Sequence, residues 1–203
     1  GVMIIPLIGG FTAGIPTTAS SNFTDMLGGQ LYITGQELTD SGNQVSVIKD
    51  RDVLGEALQL IEAQITERTY RSRVFGEIIF GSKSTSVSIE GVDWADEPEL
   101  VETLSVVSGE ISVDMDPRGL VLPEYTAKDI DVQIGETVLV RTSTVTGQQN
   151  VAEFEVLAIT EGDSMFSFSS AYADRPYLNS FIGLSKDDYQ VLNIALEDPT
   201  ASA

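Results

Sequence analysis

The stretch SIEGVDWADEPEL, Ser88 to Leu100, gathers Glu90, Asp93, Asp96, Glu97 and Glu99 around Trp94. Paired carboxylates are what acid–base cleavage of a glycosidic bond requires. One carboxyl is desolvated so that it stays protonated, and its partner is ionised across a cleft. Spacing within one loop cannot establish that arrangement. In a chain this acidic, a loop of carboxylates reads first as a solvated surface. DMDPRG, Asp114 to Gly119, has the look of a cation loop. A calcium loop of the helix–loop–helix type needs oxygen ligands at alternate positions and a closing Glu at the twelfth. Here Arg118 and Leu120 follow Asp116 at alternate positions, and the twelfth is Tyr125, so the stretch reads as a turn between strands. Arg71 and Arg73 in YRSR are two cations in an acidic field. Their guanidinium forks fit carboxylate or phosphate, and the favoured reading is an outward strand face neutralising its neighbours. Trp94, Phe166, Phe168, Tyr172 and Tyr177 suit either an interface or a core.

Composition narrows the chemistry further. The chain has no Cys and no His. Thiol nucleophiles, thiolate zinc sites, imidazole bases and Ser-His-Asp triads are excluded. The glycines of IGG and LGGQ lack the following Lys of a phosphate loop, which disfavours ATP binding by this chain. A net charge of −20 repels nucleic-acid backbones and anionic lipid, and attracts basic partners or cations. No catalytic residue, bound cofactor or metal is expected, and the residues that bind a substrate or partner are not identified.

The elements that must position these residues follow from periodicity. The N-terminal run GVMIIPLIGGFTAGIPTTASSNFT carries no charge before Asp25. Its apolar part is shorter than a membrane span and lacks a basic leader. It reads either as the outer end of a transmembrane helix or as a buried N-terminal segment. GGQLYITGQEL alternates as a strand, with Leu31 and Ile33 on one face, and DSGNQVSVI is read as a turn. Val53, Leu54, Ala57, Leu58, Ile61 and Ile65 fall at helical spacing, with Asp50 or Asp52 as cap. YRSRVFGEIIFGS and STSVSIEGVD form a hairpin. Pro98 opens a short helix ending near Leu104, and Gly109 closes a loop. GLVLPEYTAKDI is a strand and a helix-like step. ETVLVRTSTVTGQQNVAEFEVLAITEG is two strands joined near TGQQN. SFSSAYADRPYLNSFIGL has a weak strand, an Asp-Arg-Pro break and an apolar step, and YQVLNIALE is a last strand. The order implies an α+β fold: outer segments like a split ferredoxin-like sheet, with a small β-rich unit, residues 96–162, inserted between them.

Several of these segments, in this order, resemble the extracytoplasmic domain of MacB/FtsX-like ABC transporter permeases, the superfamily that includes lipoprotein-releasing (LolC/LolE-type) permeases. GGFTAGIPTTASSNFTDMLGGQLYITG is similar to the segment leaving the first membrane helix, with Gln30 at a position that is commonly His. SVSIEGVDWADE matches the end of the family's strand pair, with Trp94 where Pro is common. VVSGEISVDMDPRGLVLPEYTAKDIDVQIGETVLV fits the insert motif closely, with Glu136 for Asp, and FEVLAITEG matches the strand after it, with Ala158 for Gly. In IGETV, Gly135 supplies the left-handed backbone that a tight turn before TVLV needs.

The resemblance implies a porter-like subdomain, residues 26–95 and 163–198, and a sabre-like insert, 96–162, with 1–25 as a juxtamembrane segment. It implies a domain on the outer side of the inner membrane that carries no chemistry and no cofactor. ATP hydrolysis by a separate ATPase subunit would be coupled to substrate or partner handling, as in export or lipoprotein release. Implied partners are that ATPase, a second permease copy in a homo- or heterodimer, and a periplasmic adaptor or lipoprotein. The rivals are a secreted or surface adhesion module, and a carbohydrate enzyme using residues 93–99.

Overall fold

A long hairpin sets the frame. β4 (Ile65–Phe80) and β5 (Lys83–Val92) pair antiparallel from Ser72↔Gly91 to Phe80↔Lys83, as the alternation in both strands predicts. The computed structural model describes residues 2–4, 30–38, 44–48, 51–59, 62–161 and 170–196. The chain forms two compact units, Gly1–Tyr70 with Tyr189–Ala203, and Arg71–Asp188.

In the unit 71–188 the hairpin belongs to a ring. It is joined there by β7 (Gly119–Pro123), β8 (Thr137–Ser143), β9 (Gln149–Thr160) and β10 (Ala171–Asp174). β5 pairs parallel with β10, β10 antiparallel with β7, and β7 parallel with β9. β9 pairs antiparallel with β8, and β8 antiparallel with β4. Six strands thus close on themselves, which removes the open edges of a sheet. Alternate residues point inward, among them Val74, Ile78, Ile89, Leu120, Val140 and Phe154, all buried. Helix α3 (Glu124–Ile130) adds Ala127 and Ile130 to this core, and α4 (Arg175–Ile182) adds Leu178, Phe181 and Ile182. Phe154 meets Tyr177 and Phe181 edge-on, with centroids 5.2 and 6.1 Å away. Such ring pairs each add about 1 kcal/mol beyond the area they bury.

One irregularity builds a second core on the ring's outside. The β7–β9 register steps from Leu120↔Val156 to Val121↔Ala158, leaving Leu157 as the extra residue. A bulge of this kind reverses the alternation. Val156 lies in the inner core, whereas Ala158 joins Val92, Trp94, Ile111 and Val121 outside. Covering that outer core are α2 (Pro98–Thr103), through Leu100 and Val101, and the residues that follow it. Strand β6 (Val106–Gly109) then pairs antiparallel with the end of β9. Gly109 closes this strand at φ 82°, and a Cβ there would lie 2.1 Å from the Leu157 carbonyl oxygen. Only glycine fits that approach.

In the other unit β2 (Gln30–Leu38) pairs antiparallel with β1 (Val2–Ile4), β3 (Gln44–Ser46) and β11 (Val191–Leu196). Thr66, at the start of β4, donates to the Ala195 carbonyl at 3.2 Å. Helix α1 (Arg51–Gln59) places Leu54 and Leu58 against Ile33, Ile48, Leu192 and Ile194.

The turn at Gly135 is as expected, with φ 82° and its N–H donating to Val156 at 2.8 Å. The Pro98 helix, both expected hairpins and the last strand are also present. Four expectations change. The fold is a mixed α/β domain dominated by strands, with the closed ring and four α-helices among the described residues. Gln44–Ser46, read as turn, is strand β3, because β2 offers it a backbone ladder at Gln36↔Ser46. The helix expected to reach Ile65 stops at Gln59, and Ile65 opens β4. Gly109 ends a strand rather than a loop. The compact units also divide elsewhere than at 95/96 and 162/163. β5 and β10 lie on the outer side of those boundaries, yet they pair with each other inside the ring. Val2–Ile4 is a strand, and the rest of 1–25, with Asp50 and the tail after Leu196, lies outside the described residues, whereas Asp52, the other expected cap, falls inside α1. No described helix is long and apolar enough to cross a membrane.

Candidate functional site

The carboxylate loop comes together with the YRSR arginines. Both arginines face outward midway along β4, and Glu90 faces outward on the paired β5. Arg73 Nε donates to Glu90 Oε1 at 3.1 Å, and Arg71 Nε lies 3.9 Å from Glu90 Oε2. The chain then turns over this face through residues 93–97. That turn brings Glu97, only 5% exposed, into an ion pair with Arg71 Nη1. Glu97 also accepts the Asp93 N–H at 3.3 Å, which ties the turn shut. Trp94 packs beneath it at 3% exposure. Its indole N–H meets no acceptor among the described residues.

A second layer continues from Asp93. Arg175, at the start of α4, reaches Asp93 Oδ2 at 3.3 Å and the Asp188 and Lys186 carbonyls at 2.9 and 3.2 Å. Asn179, one turn on and fully buried, donates to the Asp188 carbonyl at 2.6 Å and accepts from Ser72 Oγ at 2.6 Å. Asp188 Oδ2 accepts the Ser185 N–H at 2.9 Å. The loop 185–188 is thereby fastened to α4 and to β4 by side chains rather than by a strand ladder. None of Arg175, Asn179 and Asp188 was singled out from the sequence. The signal available was an Asp-Arg-Pro helix start, with Asp174 accepting the Tyr177 N–H at 2.8 Å as cap.

The electrostatics fit a structural network. Burial raises the Asp174 carboxyl above its usual range, and the charge of Asp93 adds to the effect. It is the described carboxylate nearest to a general acid, yet its oxygen is committed to the helix cap. Its neighbour Asp93 is held by Arg175. Burial also raises the Tyr172 phenol, reinforced by Glu90 and Glu97 and opposed by Arg71. Tyr177 is shifted the same way by burial, and its hydroxyl donates to the Glu153 carbonyl at 2.9 Å. Asp96 and Glu99 stay exposed on the rim. Among the described residues of this loop, Glu97 is paired with Arg71 and Asp93 with Arg175. DMDPRG is a turn, in which Asp116 Oδ1 accepts the Arg118 N–H at 2.8 Å. Among the described residues no group of three metal-binding side chains occurs. Phe166 and Phe168 lie outside the described residues.

The family model for the MacB-like periplasmic core domain matches residues 1–203. Among solved structures, the chain is similar to the extracellular domain of the noncanonic ABC-type transporter YknZ from Gram-positive bacteria. Identity there is 16%, with 83% of this chain and 85% of that one covered at a TM-score of 0.55. The periplasmic region of MacB from Actinobacillus actinomycetemcomitans is 17% identical over 78% of this chain and 76% of that one, at a TM-score of 0.49. A domain of a permease-type protein from Porphyromonas gingivalis is 11% identical over 71% and 67%, at 0.45. A comparison with curated proteins finds no match. With the family model spanning the whole chain, and the fold shared with the YknZ domain, the chain belongs to the MacB-like periplasmic core domains of ABC-type transporter permeases.

Proposed function

We propose that this domain couples ATP hydrolysis, carried out by a separate subunit on the cytoplasmic side, to the handling of a substrate or partner outside the membrane. The observation that carries this is the family match over all 203 residues. The side chains support it, because the carboxylates and arginines that drew attention in the sequence fasten elements together. A domain that transmits movement needs such cross-links more than it needs an acid or a base. In this reading residues 1–25 continue from a membrane helix. The porter-like part, 26–95 with 163–198 in a split ferredoxin-like arrangement, and the sabre-like part, 96–162, divide the chain by role rather than by compactness. The partners are an ATPase subunit, a second permease copy, and a periplasmic adaptor or lipoprotein.

The test is made on the full-length protein, extracted from membranes in mild detergent with its co-purifying chains identified by mass spectrometry. Membrane segments flanking this domain and a bound ATPase are expected. Removing the domain should leave basal ATP hydrolysis and abolish its stimulation by substrate. A native product without membrane segments and without an ATPase would overturn the reading.

A further inference from the structure

Residues 84–117 hold nine carboxylates and not one Lys or Arg. Four of the nine find cations from elsewhere in the chain. Glu90, Asp93 and Glu97 meet Arg71, Arg73 and Arg175, and Asp116 meets Arg118. The other five, Asp96, Glu99, Glu102, Glu110 and Asp114, are exposed and form no ion pair among the described residues.

Strand β6 runs through the middle of this acidic run. It differs from every strand of the ring, because one edge pairs with β9 and the other has no partner among the described residues. All four of its residues are exposed, Val106 at 41% and Val107 at 50%. Ile134 adjoins the end of the strand, its Cδ1 3.0 Å from where a Gly109 side chain would begin, and it is 37% exposed. A free edge next to exposed β-branched residues is a template for another strand, and soluble proteins usually guard such an edge with Lys or Pro. Lys and Pro are absent here, where residues 105–110 read Ser-Val-Val-Ser-Gly-Glu, and what blunts the edge is only the strand's shortness and a register shift against β9 between Val106 and Ser108. Carboxylates on both flanks repel acidic chains and phosphate, and attract ammonium and guanidinium groups. The three features together specify an occupant that is extended, apolar at some positions and basic at others.

We propose that the free edge of β6 docks an extended basic segment of a partner protein, which adds to β9 and β6 as a further strand. Its backbone would supply the ladder hydrogen bonds. Its apolar side chains would cover Val106, Val107 and Ile134, and its Lys and Arg would meet Glu102 and Glu110. Binding needs only the folded chain, so the proposal stands or falls independently of the coupling function.

The probe is a fluorescent decapeptide alternating Lys or Arg with Val, titrated into the 203-residue chain and read by anisotropy. A second peptide of the same sequence, N-methylated at alternate amides, keeps every charge but loses the ladder donors. The expected result is saturable binding, weakened at least about tenfold by N-methylation and by high salt. Slowed hydrogen exchange at residues 105–110 is expected with it. A variant carrying Glu102→Lys and Glu110→Lys, both exposed positions, should lose about tenfold in affinity. Its circular dichroism and Trp94 emission should be unchanged. Equal binding of the N-methylated peptide would reduce the effect to bulk charge and overturn the proposal. So would binding without protection at 105–110, or no saturable binding at all. Sedimentation showing the chain itself as a dimer, dissociated by Val107→Lys, would assign the edge to a second copy and equally overturn it.

Discussion

Strand β4 presents the same outward face in two settings. Midway along it, Arg71 lies under the turn 93–97 and pairs with Glu97, and the two side chains are 14% and 4% exposed. Further along, Glu77 pairs with Arg141 of β8 in the open. Both are arginine–carboxylate pairs between separate elements. The difference lies in what water can do. Beneath the turn both charges have lost their hydration, so each depends on the other. In the open, water and salt can replace either partner. An outward-facing position on a strand therefore becomes structural only where a later part of the chain roofs it.

The largest expected effect comes from breaking the roofed pair. Glu97→Ala leaves Arg71 with only its longer contact to Glu90 at 3.9 Å and deprives the Asp93 N–H of its acceptor, and should cost about 3 kcal/mol in urea unfolding. Trp94, the chain's one tryptophan, reports the loss directly as a red shift in emission. Exchanging both partners, Arg71→Met with Glu97→Leu, should recover most of it. A cost below about 1 kcal/mol for Glu97→Ala would place the pair in the class of solvated ones and remove the contrast.

Asp174 gives an intermediate case. Burial raises its folded-state pKa, so the native chain holds this proton more tightly than the unfolded chain does. Its contribution is fully present below the ordinary value of 3.8 and is lost as pH rises through the raised one. Asp174→Asn keeps an acceptor for the Tyr177 N–H and removes the ionisation. Unfolding midpoints measured from pH 3.5 upward should fall less steeply for the variant, and parallel curves would show that the carboxyl is solvated.

The smallest effect is expected at Glu77. Its carboxyl is held below the usual range, first by the Ser84 hydroxyl and then by Arg141. What it adds is present above the ordinary carboxylate value and disappears as pH falls through the lowered one. Glu77→Gln should leave the neutral-pH midpoint within error. A shift as large as that of Glu97→Ala would mean that burial is not what separates the two pairs.

Much of the local structure was legible. Alternation marks β4, β5 and β9, Pro98 marks the start of α2, and Gly135 marks a left-handed turn. Each depends on neighbours in the chain. Less legible was the end of α1, where Ile61 and Ile65 continue a helical stripe although Ile65 already belongs to a strand. Apolar residues at that spacing suit either element, and pairing decides between them. The polar network was legible in half. Arg71, Arg73 and the carboxylates around Trp94 stand out by charge, whereas Arg175 meets Asp93 across 82 positions of sequence. Asn179 looks like any helix residue until its amide is seen to hold the loop 185–188.

The amino-acid sequence by itself determined most of the elements, the exclusion of thiol and imidazole chemistry, the acidic character and the family resemblance. These rest on residue type and short-range spacing. The tertiary structure decided that six strands close into a ring, that one extra residue at Leu157 turns Ala158 outward, and that Glu97 is roofed while Glu77 is not. Closure and burial depend on contacts between residues far apart in the chain. The free energy of a charge or a strand edge depends on whether water reaches it, and local sequence does not record that.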